Sequence, residues 1–456
     1  MISVPNRPLQ LSGSRYILNI FIFLLILSSC SSARVNERRT IVKDTVPKDS
    51  AGSGQFDRKI SDIKVDTLKW TKIPEEKSRP VVIPQPDEHD VTDINRIKNP
   101  YRLKLLAAVP LNAKDYIGSG MEDEKYLQYY AGMQMALQQL EREGYFINIE
   151  VVDAVTTEIT KEMLSGVDVV FAPNDKGETT KLIEWASDYG VKVVSPWYSS
   201  SRTAENAPHY IQLKPNLREH FDKMIYHAAI NFPVEELVLV GRDIRSDKQW
   251  ISYLQSSFKK NFPQYDTYIK ELLIDEKGFS EAAPIFQPTI NKGGKVFIFP
   301  HYSPADENFL FLALKRLSAE KADVEVFVYG LPLIIEAESI GFDIYNALNI
   351  KVVTSEYLDF NRFSVKRFTE DFFKKYGTFP EKDAFEAYDK TLFSCKYLPL
   401  MSIDGINVQV DDDFMMISFD IQPVKLNEDK EDVDFYENKH LYVLGFIDGN
   451  FTNLGR

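Results

Sequence analysis

Polar side chains gather just after predicted strand ends in this chain. Ser195, Ser199 and Ser200 follow one such end, in a stretch whose Trp197 and Tyr198 can supply aromatic walls. Hydroxyls and main-chain N–H groups suit a carboxylate, above all at the start of a helix. A serine-rich turn is equally an ordinary feature of loops, so both interpretations stand. A neighbouring strand end adds the candidates Asn174, Asp175 and Lys176.

A cluster of charges follows a later predicted strand. Arg242, Asp243, Arg245 and Asp247 lie close together in the sequence. Such a cluster can serve a polar ligand, for example a sugar or a peptide fragment, and Asp243 is the candidate contact. Surface ion pairs are the commoner fate of exposed charges, and this alternative stays open.

Signatures of enzymes and of cofactor or metal sites are missing from the sequence. No G-x-S-x-G elbow, HExxH motif, phosphate-binding loop or EF-hand loop occurs. With two cysteines and six histidines, a disulfide framework and a CxxC zinc site are excluded. His220 and His227 stand seven residues apart, which favours surface or packing roles over chelation. The sequence therefore predicts no catalytic residue, no cofactor and no metal.

Two further features have simple interpretations. The acidic run 411–413 and the acid-rich segment 427–438 lack EF-hand spacing, so solvated turns are favoured over weak calcium binding. Cys395 lies between aromatic residues on a predicted helix. We expect it to be a buried, small hydrophobic side chain.

Strands and helices alternate along the chain from about residue 101. Strands are near-continuous apolar runs such as Leu103–Val109, and helices such as Tyr126–Glu143 end at a Gly or Pro. This alternation predicts parallel sheets covered on both faces. The repeats are too many for one sheet, so we predict an α/β fold of two doubly wound parallel-sheet lobes joined by crossover strands. Only the tail departs, since 414–421 and 440–447 alternate like antiparallel strands.

Three segments of the body carry motifs in a fixed order. They are Tyr129–Leu137, Tyr189–Ser199 and Phe372–Asp389. The first has a glycine within an apolar helical stripe, the second is a strand that runs into Ser-Pro-x-x-Ser, and the third has Tyr-Gly-x-x-Pro followed by Ala-x-x-x-Tyr-Asp. In order and spacing they resemble the opening helix and the later motifs of the class I periplasmic binding proteins of the branched-chain amino acid type.

The resemblance implies a two-lobed body in which the chain crosses between the lobes three times. We expect lobe 1 at about 101–215 and 325–418, and lobe 2 at about 216–324 and 419–456. Ligands of such folds bind outside the carboxyl ends of the strands, in the cleft between the lobes. The resemblance also implies that Tyr302 is the family's cleft tyrosine, with a plain rim residue as the alternative.

The side of the cleft that would bind an ammonium group departs from the family. An acidic residue is expected after the strand Glu325–Tyr329, where the chain has Gly330 and Leu331. The aromatic residue expected after Arg242 and Asp243 is also replaced. A buried ammonium group without a carboxylate is costly, so these changes speak against a free amino acid as the ligand.

Residues 1–29 predict a lipoprotein signal peptide. The apolar run Tyr16–Leu27 has 12 residues, whereas spanning a bilayer takes ~20. Small residues then lead to Cys30, as in the lipobox of bacterial lipoproteins, in which the cysteine is lipidated. A plain secretory signal is the alternative. Ser31 rather than Asp follows the cysteine, so we expect a lipid anchor in the outer membrane, facing the periplasm.

Residues 30–100 predict a disordered tether, because Pro, Ser, Lys and Asp dominate and aromatics are few. The resemblance is strongest for envelope proteins in which LysM peptidoglycan-binding domains precede this fold, and here the tether takes their place. The body, 101–456, has 38 basic and 55 acidic residues, a net charge of −17. Such a surface opposes binding to nucleic acid or to anionic headgroups. We therefore expect membrane attachment through Cys30 alone.

The sequence favours a non-enzymatic, membrane-tethered solute-binding lipoprotein of the cell envelope. It would capture a small polar ligand in the inter-lobe cleft for transport or sensing. The alternative is a degenerate binding-protein fold that acts as an envelope scaffold or protein–protein module, with a link to peptidoglycan synthesis as one form. The partner is then an envelope protein. The serine-rich loop supports the first hypothesis, and the departures from the family support the second.

Overall fold

The computed structural model describes residues 101–113, 121–199, 204–401, 414–427 and 430–455. All of them belong to one compact unit, Pro86–Arg456. The predicted signal peptide and tether, Cys30, Ser200 and the run 411–413 lie outside the described residues. Within those ranges, no helix is both long enough and apolar enough to cross a membrane.

The first sheet, in lobe 1, has seven strands and is parallel except for one pair at its edge. In strand β1 (Arg102–Val109), Leu105 and Ala107 point to one face and Leu106 and Ala108 to the other, and all are buried. The predicted near-continuous apolar strand therefore lies between two neighbouring strands of the sheet and is covered on both faces. The strands in spatial order, numbered along the chain, are β11 (Ile421–Val424), β12 (Phe435–Asn438), β5 (Tyr210–Gln212), β4 (Lys192–Ser195), β3 (Val169–Phe171), β1 (Arg102–Val109) and β2 (Phe146–Asp153).

The second sheet, in lobe 2, repeats this plan. Five of its strands pair in parallel, and the C-terminal hairpin adds two antiparallel strands. The antiparallel strand predicted over 440–447 is confirmed. The strands in spatial order are β14 (Asn450–Asn453), β13 (Tyr442–Ile447), β10 (Ile350–Thr354), β9 (Phe327–Gly330), β8 (Val296–Ile298), β6 (Leu237–Arg242) and β7 (Lys270–Ile274).

Local signals set the ends of the helices. Asp175 accepts a hydrogen bond from the N–H of Glu178 at the start of one helix, and Gly190 ends that helix with φ of 68°. Gly377 ends a later helix in the same left-handed conformation. The helices are α1 (Met121–Arg142), α2 (Lys176–Tyr189), α3 (Leu217–Asn231), α4 (Arg245–Asn261), α5 (Gln287–Ile290), α6 (Glu307–Glu320), α7 (Leu333–Glu336), α8 (Phe342–Ala347), α9 (Phe363–Tyr376) and α10 (Lys382–Lys396).

Two of the family-like segments meet in lobe 1, where α1 packs against α10. A Cβ atom at Gly132 on α1 would overlap the carbonyl oxygen of Ala384 on α10. Only glycine lets the two backbones approach this closely. Tyr129, one turn before Gly132, is fully buried on this side of the lobe.

The strand predicted over 414–421 is wrong for most of its length, because ladder pairing begins only at Ile421. The N–H groups of Met415, Met416 and Ile417 instead donate to the buried carboxylate of Asp389 on α10, at 2.7–3.2 Å. A buried carboxylate needs several donors. The side chain therefore takes the N–H groups that a strand would have used.

The division into lobes differs from the expected boundaries. Strands β9 and β10 pair within the second sheet, so the segment 325–354 belongs to lobe 2. Conversely, β11 and β12 pair in the first sheet, which moves 421–438 into lobe 1. The apolar run of a strand shows that it is buried, but hydrogen-bond partners across the sheet decide which lobe it joins. The chain passes between the lobes at 213–216, 355–362 and 439–441.

Candidate functional site

The predicted site residues follow strands that lie at, or one strand away from, the points where strand order reverses. In lobe 1 this point lies between β1 and β3, and in lobe 2 between β6 and β8. Ligands of open α/β sheets bind at such points. We call the segments 172–176 and 195–199 the lobe 1 edge, and the segments 242–247 and 299–306 the lobe 2 edge.

Trp197 packs into lobe 1. Its ring centroid lies 4.3 Å from that of Tyr129 and 5.6 Å from that of Tyr126, both on α1. Its Nε1 donates to the carbonyl oxygen of Ala172 at 2.8 Å. The indole thus fills the space between α1 and the end of β3 instead of standing out as a free wall.

The start of α2 already holds a carboxylate. Asp175 caps the helix through the N–H of Glu178 at 2.8 Å, and the hydroxyl of Tyr198 donates to the carbonyl of Asp175 at 3.2 Å. Asn174 donates to the hydroxyl of Tyr126 at 3.2 Å. A ligand carboxylate would meet the negative charge of Asp175 where it needs free N–H groups. Lys176 is exposed beside this cap.

Ser195 and Ser199 have different environments. Ser195 is fully buried, and its hydroxyl donates to the carbonyl oxygen of Tyr198 at 2.9 Å. This bond closes the loop on itself and uses the hydroxyl proton of Ser195. Ser199 is half-buried.

A buried lysine is hydrogen-bonded to the loop that follows β4. Lys390 on α10 is fully buried, and its ammonium group donates to the carbonyl oxygen of Pro196 and to Glu386. Lys214 lies 3.1 Å from the same Glu386 carboxylate. Burial lowers the pKa of Lys390 to about 8, whereas Glu386, although buried, keeps its pKa below the ordinary range because the two lysines face it. We did not predict this cluster, although Glu386 and Lys390 stand four residues apart on one helix face.

The lobe 2 edge is held by charges. Arg242, the last residue of β6, donates to Asp247 from Nε at 2.9 Å and from Nη2 at 3.0 Å, and its Nη2 also donates to Asp306. His301 Nε2 lies 2.9 Å from the same Asp247 carboxylate. Asp247 is 2% exposed. Burial alone would raise its pKa, but the hydrogen bonds from His301 and Arg242 hold that pKa well below its usual range.

One polar atom of this network has no partner among the described residues. His301 Nδ1 is buried without a hydrogen bond, and the ring packs 4.7 Å from that of Phe309. The guanidinium of Arg242 lies over the same Phe309 ring, 5.2 Å from its centroid. We predicted neither His301 nor Asp306, although His301 follows the buried run 296–300 that begins with β8.

The two candidates that we predicted on the lobe 2 edge are exposed. Asp243 forms an ion pair with Lys248, and its side chain is 57% exposed. Tyr302 is 47% exposed, with its ring 6.0 Å from that of Trp250 on α4. Asp243 is thus one of the surface ion pairs that the sequence left open, and Tyr302 is accessible.

The segments that join the lobes are bonded to one another. Glu437 accepts from the main-chain N–H of Asn216 at 2.6 Å and from its side chain at 2.9 Å. Lys439 bridges Glu437 and Glu219, each at 2.6 Å. Glu356, in the second crossing, faces the Lys214 ammonium at 3.7 Å. These bonds run from the first crossing to both of the others.

Other predicted residues take structural roles. Cys395 is buried, as predicted, and burial raises the pKa of its thiol to about 12. His227 is buried against the hydroxyl of Tyr329 at 2.8 Å, and His220 bonds the carbonyl of Asn216. In the ranges that the structure describes, no three His, Cys, Asp or Glu side chains are grouped to hold a metal.

Two grooves open on other faces of the body. One, of about 950 Å³, lies between α1 and β2, and the other, of about 350 Å³, lies between α6 and α8. Neither is lined by a residue of the lobe 1 edge or the lobe 2 edge.

Comparison with known proteins shows similarity in structure only. No protein-family model and no curated protein sequence matches the chain. A solved protein from Rhodospirillum rubrum, proposed as a branched-chain amino acid ABC transporter, has 12% identity and a TM-score of 0.51 over 77% of this chain and 99% of that chain. The C-domain of Haemophilus influenzae LpoA, a regulator of PBP1A, has 10% identity and a TM-score of 0.51 over 78% of this chain and 100% of that chain.

At such identities the similarity concerns the fold alone. The two parallel-dominant α/β sheets, the three crossings between them and the two structural neighbours agree. They confirm the predicted resemblance: this chain has the fold of the class I periplasmic binding proteins.

Proposed function

We propose that this protein is a non-enzymatic binding module of the cell envelope that recognises another envelope protein. The observation that carries the proposal is that, within each edge, the polar groups already have partners in the protein itself. Arg242 is bonded to both Asp247 and Asp306, and Asp175 occupies the start of α2. A charged small ligand would have to break these bonds, which costs more than it returns in a buried site.

The links between the crossings support the same proposal. Capture by closing two lobes needs a few joining residues that absorb a large change in backbone angles. Here Lys439 ties Glu437 to Glu219, and Lys214 faces Glu356. A fixed angle between lobes suits a surface that docks a protein better than a trap that closes.

The location is part of the proposal. The lipobox-like sequence that ends at Cys30 supports a lipid anchor, and the absence of Asp at position 31 supports the outer membrane, facing the periplasm. A fold shared with LpoA, a regulator of PBP1A, is compatible with a protein partner, and a link to peptidoglycan synthesis is one form of it. Fold alone does not assign the partner.

Capture of a small polar ligand for transport or sensing is the second candidate function. It is favoured by Ser199 and Tyr302, which leave polar groups accessible on the lobe 1 edge and the lobe 2 edge. An uncharged ligand such as a sugar would not need to break the ion pairs.

A ligand screen separates the two functions. The full chain is heated with amino acids, short peptides, sugars and peptidoglycan fragments, and its Tm is measured. A ligand present at a hundred times its Kd adds about 2.7 kcal/mol of stability, which shifts Tm readably. No shift is expected. A shift that Ser199→Ala or Tyr302→Ala abolishes would establish the small-ligand function instead.

A direct test places a photo-crosslinking amino acid at Tyr302 or at Ser199 in the full chain in living cells. Tyr226 on α3 is the matched control, since it is 46% exposed against 47% for Tyr302. One and the same protein is expected to be captured from Tyr302 and Ser199 and not from Tyr226. Equal capture from all three positions would contradict the proposal.

A further inference from the structure

The larger groove has an apolar floor that nothing in the described residues covers. It lies at the amino ends of the lobe 1 strands, between α1 and β2, and encloses about 950 Å³. Leu137 of α1 faces Ile147 and Ile149 of β2 there, and all three are half-buried. Gln134 and Gln138 form a polar rim. A half-buried apolar floor with a polar rim is the usual form of a docking groove.

One wall of the groove is the outer strand of the first sheet. Among the described strands, β2 pairs only with β1. Its residues alternate between exposed and half-buried over most of its length, and Phe146 at its start is 65% exposed. Proteins usually cover an edge strand of eight residues, because its free main-chain groups invite pairing with other chains.

The chain enters the body at the rim of this groove. The main-chain N–H of Phe146 donates to the carbonyl oxygen of Tyr101 at 2.8 Å, and the Tyr101 ring lies 5.3 Å from that of Tyr145. The next two residues, Arg102 and Leu103, line the groove. Tyr101, the first described residue, thus lies at the rim of this groove.

The residues just before this entry have a matching apolar pattern. Val91, Ile94 and Ile97 recur every third position, the spacing that places side chains on one face of a helix. Asn99-Pro100 follows, a dipeptide that favours a turn. Three residues lie between Ile97 and Tyr101, and the four steps along the chain can span up to ~14 Å. The segment can thus reverse at this turn and reach the groove.

We propose that residues 91–98 fold back at Asn99-Pro100 and cover the groove with Val91, Ile94 and Ile97. The end of the tether is then part of the body and seals the edge of its first sheet. This inference does not depend on the function proposed above.

Disulfide trapping tests the proposal in the full chain carrying Cys30→Ser, whose remaining thiol, Cys395, is buried. Ile94→Cys is combined with Ile149→Cys in the groove, and the control pair combines Ile94→Cys with Ile230→Cys on α3, a side chain 51% exposed. Mild oxidation is expected to give an intramolecular disulfide with Ile149→Cys at least tenfold faster than with Ile230→Cys. Equal rates would overturn the proposal. A disulfide between two molecules would assign the groove to a second copy of the chain.

A stability comparison gives an independent readout. Val91→Ser, Ile94→Ser and Ile97→Ser together are expected to lower Tm and to speed hydrogen exchange of β2 amides. The matched control is Val81→Ser, Val82→Ser and Ile83→Ser, which removes a similar apolar content from the same region. Equal effects of the two triple variants on Tm and on β2 exchange would contradict the proposal.

Discussion

The lobe 1 edge and the lobe 2 edge occupy equivalent places in two similar sheets, yet their polar groups are satisfied in different ways. On the lobe 1 edge, a tryptophan packed against α1 and hydrogen bonds to main-chain carbonyls hold the loop after β4. On the lobe 2 edge, Arg242, Asp247, Asp306 and His301 form a charged network.

The difference shows two ways in which polar and aromatic side chains at equivalent sheet edges find partners within the protein. Packing of Trp197 removes an aromatic wall and a donor together. The network around Arg242 pairs charges of both signs. Each member depends on the others because Asp247 and His301 are buried and the side chains of Arg242 and Asp306 are each only 14% exposed. We therefore expect the lobe 2 edge to tolerate single substitutions less well.

The largest effect is expected for Asp247→Ala. It leaves the largely buried charge of Arg242 with Asp306 and the exposed Glu276 beside it, and leaves His301 without its hydrogen bond. Removing one partner of a buried pair costs ~3–5 kcal/mol, to be measured as the free energy of unfolding in denaturant. Asp243→Ala, four residues earlier, is the control and should cost less than ~1 kcal/mol because its ion pair is exposed. Similar losses for the two variants would show that the network is no more stabilising than a surface pair.

A smaller loss, about 3 kcal/mol, is expected for Trp197→Ala, because large-to-small changes leave a cavity. The cavity would lie against Tyr126 and Tyr129. Trp197→Phe keeps most of the packing and loses the hydrogen bond to Ala172, so it should cost about 1 kcal/mol. Should Trp197→Ala unfold no more easily than the natural protein, Trp197 would be a free wall of the cleft.

The pH dependence of stability separates the edges further. The folded pKa of Asp247 lies below its unfolded value of about 3.9, so its contribution is complete above pH 4 and is lost as pH falls toward the folded pKa. The difference in unfolding free energy between the natural protein and Asp247→Asn should therefore narrow below pH 4. The deficit of Trp197→Ala, which involves no titrating partner, should stay constant over the same range. A constant Asp247→Asn deficit would contradict the ionised network.

The smallest effect is expected for Tyr302→Ala. The side chain is 47% exposed and rests on Trp250 alone among the aromatic rings of the described residues. Surface substitutions of this kind change stability by ~0.5 kcal/mol or less. A loss comparable with that of Trp197→Ala would mean that Tyr302 holds the lobe 2 edge, and its use as a crosslinking position would fail.

Features that depend on neighbours in sequence were predicted well. The apolar run at the end of β1, the stops at Gly144 and Gly190 and the burial of Cys395 follow from side-chain type and local backbone preference. The order of such elements, with three family-like segments, also sufficed for the fold class.

Features that depend on distant partners were not predictable. Lys390 bonds Pro196 across 194 positions, and Arg242 bonds Asp306 across 64. The lobe boundary moved for the same reason, since an apolar strand pattern does not say which sheet a strand joins.

The sequence by itself thus determined the repeating α/β architecture, because burial periodicity and helix ends are written in neighbouring residues. Only the tertiary structure decided that Asp247 bonds both Arg242 and His301, so that these side chains are paired within the protein. It also decided that Trp197 packs within lobe 1. A charged or aromatic side chain has the same identity whether it is free or paired. Its partner depends on which strands and helices the fold brings together.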